Sequence, residues 1–178
     1  MTVDLRMAPV ADLRALDLRA ADRDLWADEA SIWARLAGCL DRIAAADWDR
    51  QVAPSEAGGP PWSALDHAGH LAAWSDVGIA AIVRVLDGAA WPVDEDFADG
   101  DFDAFNETQR ATWAGEGVAE VRTHLDESHA RLVALARDLP LDVIRSDEAW
   151  SWVFLTLHGH ALDHLAVLER AAARAASA

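Results

Sequence analysis

The residues with the clearest capacity for chemistry lie near the C-terminus, in Ser151–Glu169, where His160 and His164 form a His-x-x-x-His pair. Four residues make about one helical turn, so both imidazoles leave the same helix face and can hold one ion. Val153, Leu157, Leu165 and Leu168 recur at helical spacing around the pair, which turns it toward a core. His158 stands two residues before His160, on roughly the opposite face. Further imidazoles follow Trp62: His70 and, one turn earlier, His67. Three neutral imidazoles suit Zn, Ni, Fe or Cu rather than the oxygen-seeking Mg or Ca. With three protein ligands a position stays free for water or substrate, where water becomes acidic or a thiol binds as thiolate. The plainer reading of such histidines is a side chain satisfied by hydrogen bonds. His124, His129 and His158 are read that way, as surface or boundary residues.

Positioning these groups requires long helices, and the apolar pattern supplies four. The first runs from Asp22 to about Ala46, with Leu25, Ile32, Leu36, Leu40 and Ile43 on one stripe, flanked by Trp26 and Trp33. Cys39 beside that stripe reads as a core thiol, with nothing basic nearby in sequence to lower its pKa. The second begins at Ser63, where Asp66 three residues on resembles a capping box, and stops near Asp87 at Gly88. It places Trp74 one turn from His70. The third carries Val118, Val121, Leu125, Leu132 and Leu139 and ends at Pro140. The fourth occupies Ser151 to about Ala173. Asp103–Trp113 forms a short helix, or the first part of a kinked one, before Gly115 and Gly117. Gln51–Pro61 and Ala89–Asp101 read as loops. Residues 1–21 form a partly helical N-terminal arm and 22–175 the domain. The expectation is an all-α, antiparallel four-helix bundle with essentially no sheet, whose facing helices can project ligands inward.

Composition narrows the partners. The chain has 178 residues, 52% of them hydrophobic, enough for one good core. Its basic residues are all arginine, and the formal net charge is −16. So acidic a surface repels phosphate backbones, which argues against nucleic acid and anionic membranes. The longest clean apolar run, Val77–Val83, is too short to span a bilayer. Met1–Arg14 has no apolar core of a signal peptide. With one cysteine there is no disulfide within the chain. A cytoplasmic protein is expected.

Several of these residues carry a family resemblance. Trp62-Ser63 is followed, eight residues after the tryptophan, by His70-Leu71 and then Trp74. His160-x-x-x-His164 lies in the last helix, and Phe105-Asn106-Glu107 precedes the third. With these features residues 22–172 resemble the DinB-like superfamily of four-helix bundles, including its YfiT-type and DfsB-type metal proteins. The resemblance implies His70, His160 and His164 as ligands of a divalent transition metal, Zn or Ni before others. His67 is a competing ligand one turn earlier, and Trp74, Asn106 and Glu107 are pocket residues. It further implies a homodimer, a small-molecule substrate, and thiol transfer or hydrolysis, with a low-molecular-weight thiol such as mycothiol or bacillithiol as partner. No catalytic base is assigned from the sequence: Asp66, Asp163 and Glu107 are candidates by nearness alone, and Asp66 and Asp163 read first as a cap, a solvated side chain or a partner that orients a ligand. The competing class is a non-catalytic metal-binding or stress-related bundle, which a fourth protein ligand closing the site would favour.

Overall fold

A computed structural model describes residues 5, 7–53, 61–92 and 101–175, and within them the apolar stripes become helices. The first, α1 (Val10–Arg14), is a single short turn region with Leu13 buried. In α2 (Leu25–Asp41) the Asp24 side chain accepts from the backbone N–H groups of Trp26 and Ala27, satisfying two donors that no helical carbonyl can reach. A short antiparallel ladder follows: β1 (Gln51–Ala53) pairs with β2 (Trp62–Ser63), Gln51 opposite Ser63 and Ala53 opposite Trp62. The loop expected over Gln51–Pro61 is therefore strand at its first three residues; 54–60 lie outside the described residues, as do 93–100 of the loop expected after α3.

The helix that carries His67 and His70, α3 (Ala64–Leu86), starts from a complete capping box. Ser63 Oγ accepts from Asp66 N–H at 3.1 Å, and Asp66 Oδ2 accepts from Ser63 N–H at 2.8 Å. After Asp87 the chain turns at Gly88, whose φ of 88° is the left-handed conformation glycine adopts without strain. α4 (Phe102–Trp113) is a helix of its own, separated from α5 (Val118–Arg137) by Gly115 at φ 100°. Two short helices, α6 (Leu141–Ile144) and α7 (Asp147–Ala149), lead to a π-helical stretch, Trp150–Gly159, and then to α8 (His160–Ala175).

The bundle is all-α and antiparallel, built from α2, α3, α5 and the Trp150–α8 arm. α3 is central: it packs along α5 and against both the π-helical stretch and α8, while α2 packs on α8. One part of the core gathers Ile32, Leu36, Leu71, Leu125, Leu165 and Leu168; the other gathers Leu25, Ile82, Leu132, Val153 and Leu157. By length and composition α3 is apolar enough to cross a membrane, yet its apolar side chains are largely buried inside this bundle. The N-terminal segment also packs on it, through buried Leu5, Leu13 and Leu18 and through Arg35, which donates to the carbonyls of Leu5 and Ala8.

The fourth helix departs from the expected continuous α-helix, because its first ten residues are π-helical. Trp152-Val153-Phe154-Leu155 has no polar side to mark a period, so sequence cannot distinguish the two pitches there. Packing decides. Thr156 Oγ bonds back to the carbonyls of Trp152 and Val153 and sits directly against Gly78 of α3, where any Cβ would overlap it.

Candidate metal centre

The first two turns of α3 face the first turn of α8, and that crossing assembles the histidines. His70 Nε2 lies 2.7 Å from His160 Nε2. One ring nitrogen from each of His70, His160 and His164 falls within 4.8 Å of the others. The helical spacing does what the sequence implies: α8 begins at His160, so His164 sits one α-turn on, with ring centroids 4.8 Å apart. His70 is buried and the other two are half-buried.

Burial holds the pKa of all three imidazoles well below the usual histidine value, because the charged form would lose its hydration. Repulsion among the rings adds to this: His160 and His67 act on His70, His164 and His67 on His160, and His70, His67 and Arg14 on His164. The rings are therefore neutral, each with one N–H and one lone pair, and the 2.7 Å between His70 Nε2 and His160 Nε2 is spanned by a hydrogen on one of them, which a bound metal would displace. Nδ1 of His70 and Nδ1 of His160 are buried without a hydrogen-bond partner. Three neutral imidazoles converging between α3 and α8 fit a nitrogen-preferring transition metal and do not fit Mg or Ca.

His67 stands outside this group of three but touches it. Its Nδ1 lies 2.9 Å from Nδ1 of His164. Burial lowers its pKa to about 4, with Arg170 adding to the shift and Asp66 opposing it. Its Nε2 is buried without a partner.

Tryptophan closes the sides. Trp62 presents its ring edge-on to His67 and His70, at centroid distances of 5.4 and 4.9 Å. Trp74 meets His160 at 5.6 Å and His70 at 6.2 Å. Both indoles are tied to α4: Trp74 Nε1 donates to Asn106 Oδ1 at 3.0 Å, and Trp62 Nε1 to Glu107 Oε1 at 3.4 Å. Arg110 Nε donates to the other Glu107 oxygen at 2.9 Å. Phe102 stacks on Trp74 and Phe105 meets it edge-on. α4 is thus a roof over the α3 side of the site. Beside it opens a cavity of about 450 Å³, lined among others by Ala73, Val77, Phe105, Gln109 and Trp152.

The other candidates fall elsewhere. Asp66 is spent on the α3 cap, and Asp163 pairs with Arg14 at the surface. His124, paired with Asp76 at 2.8 Å, is a boundary residue as expected. His129 and His158 are not: both are buried, at 6% and 1% exposure. His129 stacks on Trp33 with centroids 3.4 Å apart and bonds Glu29, while His158 Nε2 donates to the Leu25 carbonyl. Hidden polar partners on a distant helix, which spacing within one helix cannot reveal, make this burial tolerable. Trp152 is buried too, its Nε1 donating to the Pro92 carbonyl at 2.5 Å. Cys39 is a core thiol as read, but a basic group does reach it: Arg42 donates to Sγ at 3.3 Å. Burial outweighs that contact and pushes the thiol pKa up.

With this geometry in place, the comparisons are informative. The family model of the DinB superfamily matches residues 30–168. The crystal structure of an uncharacterised protein from Escherichia coli UTI89 is similar in fold, with a TM-score of 0.69 at 14% identity, over 82% of this chain and 93% of that one. No curated protein matches the sequence.

Proposed function

Because the chain belongs to the DinB superfamily, we propose that it is a metal-dependent enzyme acting on a small molecule, with His70, His160 and His164 as the ligands of one divalent metal, Zn or Ni. The observation that carries this reading is the convergence of three neutral imidazoles, one buried and two half-buried, with no fourth protein ligand in their group among the described residues. Such a metal supplies a Lewis acid that activates water, or a low-molecular-weight thiol such as mycothiol or bacillithiol, at neutral pH.

The chain's own residues do the rest. The three imidazoles stay neutral and so keep their lone pairs available. Trp62 and Trp74 exclude water from the flanks and hold α4 in place through Glu107 and Asn106. Of the three carboxylates named as candidate bases, Glu107 alone stands at this rim, and it is the group proposed to take the nucleophile's proton. The cavity lined by Phe105, Gln109 and Trp152, which none of the three imidazoles lines, is of a size to seat the organic part of a small substrate.

The test combines metal analysis of the protein as purified with a screen of thiol cofactors against electrophilic and hydrolysable substrates. One equivalent of Zn or Ni, with turnover that chelation abolishes, supports the proposal. Stoichiometric metal with a fourth protein ligand and no turnover would instead favour the non-catalytic bundle.

A further inference from the structure

We propose that His67 is the positioning residue of the metal centre: it accepts the Nδ1–H of His164 and so fixes the tautomer that turns the His164 Nε2 lone pair toward His70 and His160. The proposal rests on the metal-ligand reading above and deepens it.

A neutral imidazole has one N–H and one lone pair. The two Nδ1 atoms of His67 and His164 lie 2.9 Å apart, so one of them carries the hydrogen between them. There are two arrangements. If His67 donates, the hydrogen of His164 is on Nε2, the only nitrogen left to face a metal, and ligation is blocked. If His164 donates, its Nε2 is a free lone pair, and His67 carries its own hydrogen on Nε2. Only the second arrangement makes a ligand of His164.

The other two ligands have no such partner. Nδ1 of His70 and Nδ1 of His160 are buried and unbonded, so of the three only His164 has its Nδ1 held by a protein group, which leaves Nε2 as the nitrogen it can give to a metal. A metal-bound histidine is normally oriented by a hydrogen bond from its second nitrogen, usually to a carboxylate or a carbonyl. Here a second imidazole fills that place. His67 is itself well held. It lies on the first turn of α3, directly after the Ser63–Asp66 cap, with the Trp62 ring against it. One helix therefore supplies a ligand, His70, and the group that orients the ligand across from it.

The experiment uses the full chain loaded with Zn. Long-range proton–nitrogen NMR should show His164 protonated at Nδ1 and zinc-bound at Nε2. His67→Ala should weaken zinc affinity by ~10–100-fold in competition with a chromophoric chelator, the range seen when such orienting partners are removed. X-ray absorption should still count three imidazoles. His67→Asn, whose Oδ1 can accept at nearly the same place, should recover most of the affinity. An unchanged affinity in His67→Ala, a loss of one imidazole from the count, or a wild-type His164 protonated at Nε2 overturns the proposal while leaving the metal centre standing. Wild-type protein that takes up neither Zn nor Ni overturns the metal reading, and this one with it. Should His67→Ala fail to fold, the wild-type tautomer decides.

Discussion

Glu29 Oε1 lies 2.8 Å from His129 Nε2, joining α2 to α5, with 6% and 7% of the two side chains exposed. Trp33 covers the imidazole face to face. Asp41 and Arg122 bridge the same two helices at the surface. Removing one member of a buried pair strands the other without water, which costs about 3–5 kcal/mol. His129→Ala is therefore expected to lower unfolding free energy by about that much in urea titrations. The Glu29→Ala/His129→Ala double variant should lose less than the sum of the single changes.

His158 gives a test that separates fold from site. It stands two residues from His160, yet it points away from the metal centre and bonds the Leu25 carbonyl at 3.0 Å. His158→Ala is expected to destabilise the fold by about 2–3 kcal/mol, through a lost buried bond and a cavity. Metal affinity, measured below the melting transition, should stay within about twofold. A tenfold loss of affinity would place His158 in the site.

The three proposed ligands should behave alike. Ala at His70, His160 or His164 is expected to reduce affinity for Zn or Ni by more than ~100-fold, beyond what loss of an orienting neighbour does. His124→Ala, which breaks only a boundary pair with Asp76, should change nothing. Isothermal titration of the apo variants reads both.

The metal-free protein should lose stability as pH falls. His67, His70, His160 and His164 all have folded pKa values below the usual 6.5, that of His67 at about 4. Above 6.5 both folded and unfolded chains hold these rings neutral, and pH has no leverage through them. Below 6.5 the unfolded chain binds protons at these rings that the folded chain refuses, so unfolding is favoured; for His67 this runs down to about 4. Thermal melts at pH 7 and pH 5 should show the loss, and saturating metal should oppose it because the metal requires neutral rings.

Gly78 is a close-contact glycine. A Cβ there would overlap Thr156 Oγ and crowd Leu132. Gly78→Ala is expected to cost about 1–3 kcal/mol by overpacking, despite the better helix propensity of alanine. A thermal shift in the stabilising direction would show that the π-helical stretch can give way.

Much of this protein is written in local pattern. Helical periodicity places α2, α3, α5 and α8. The Ser63–Asp66 box fixes the start of α3, and Gly88 its end. Four-residue spacing makes His160 and His164 partners, because side-chain direction along an α-helix depends on position alone. What the sequence could not decide is whatever depends on a distant helix. Whether His70 or His67 meets the α8 pair follows from how far α3 is rotated against α8. Packing sets that rotation, bringing His70 Nε2 to His160 and His67 Nδ1 to His164. The burial of His129 and His158 depends on Glu29 and the Leu25 carbonyl, more than 90 residues away in the chain. The pitch of Trp150–Gly159 goes with Thr156 meeting a glycine on α3, a contact that the apolar run 152–155 before it cannot signal in sequence.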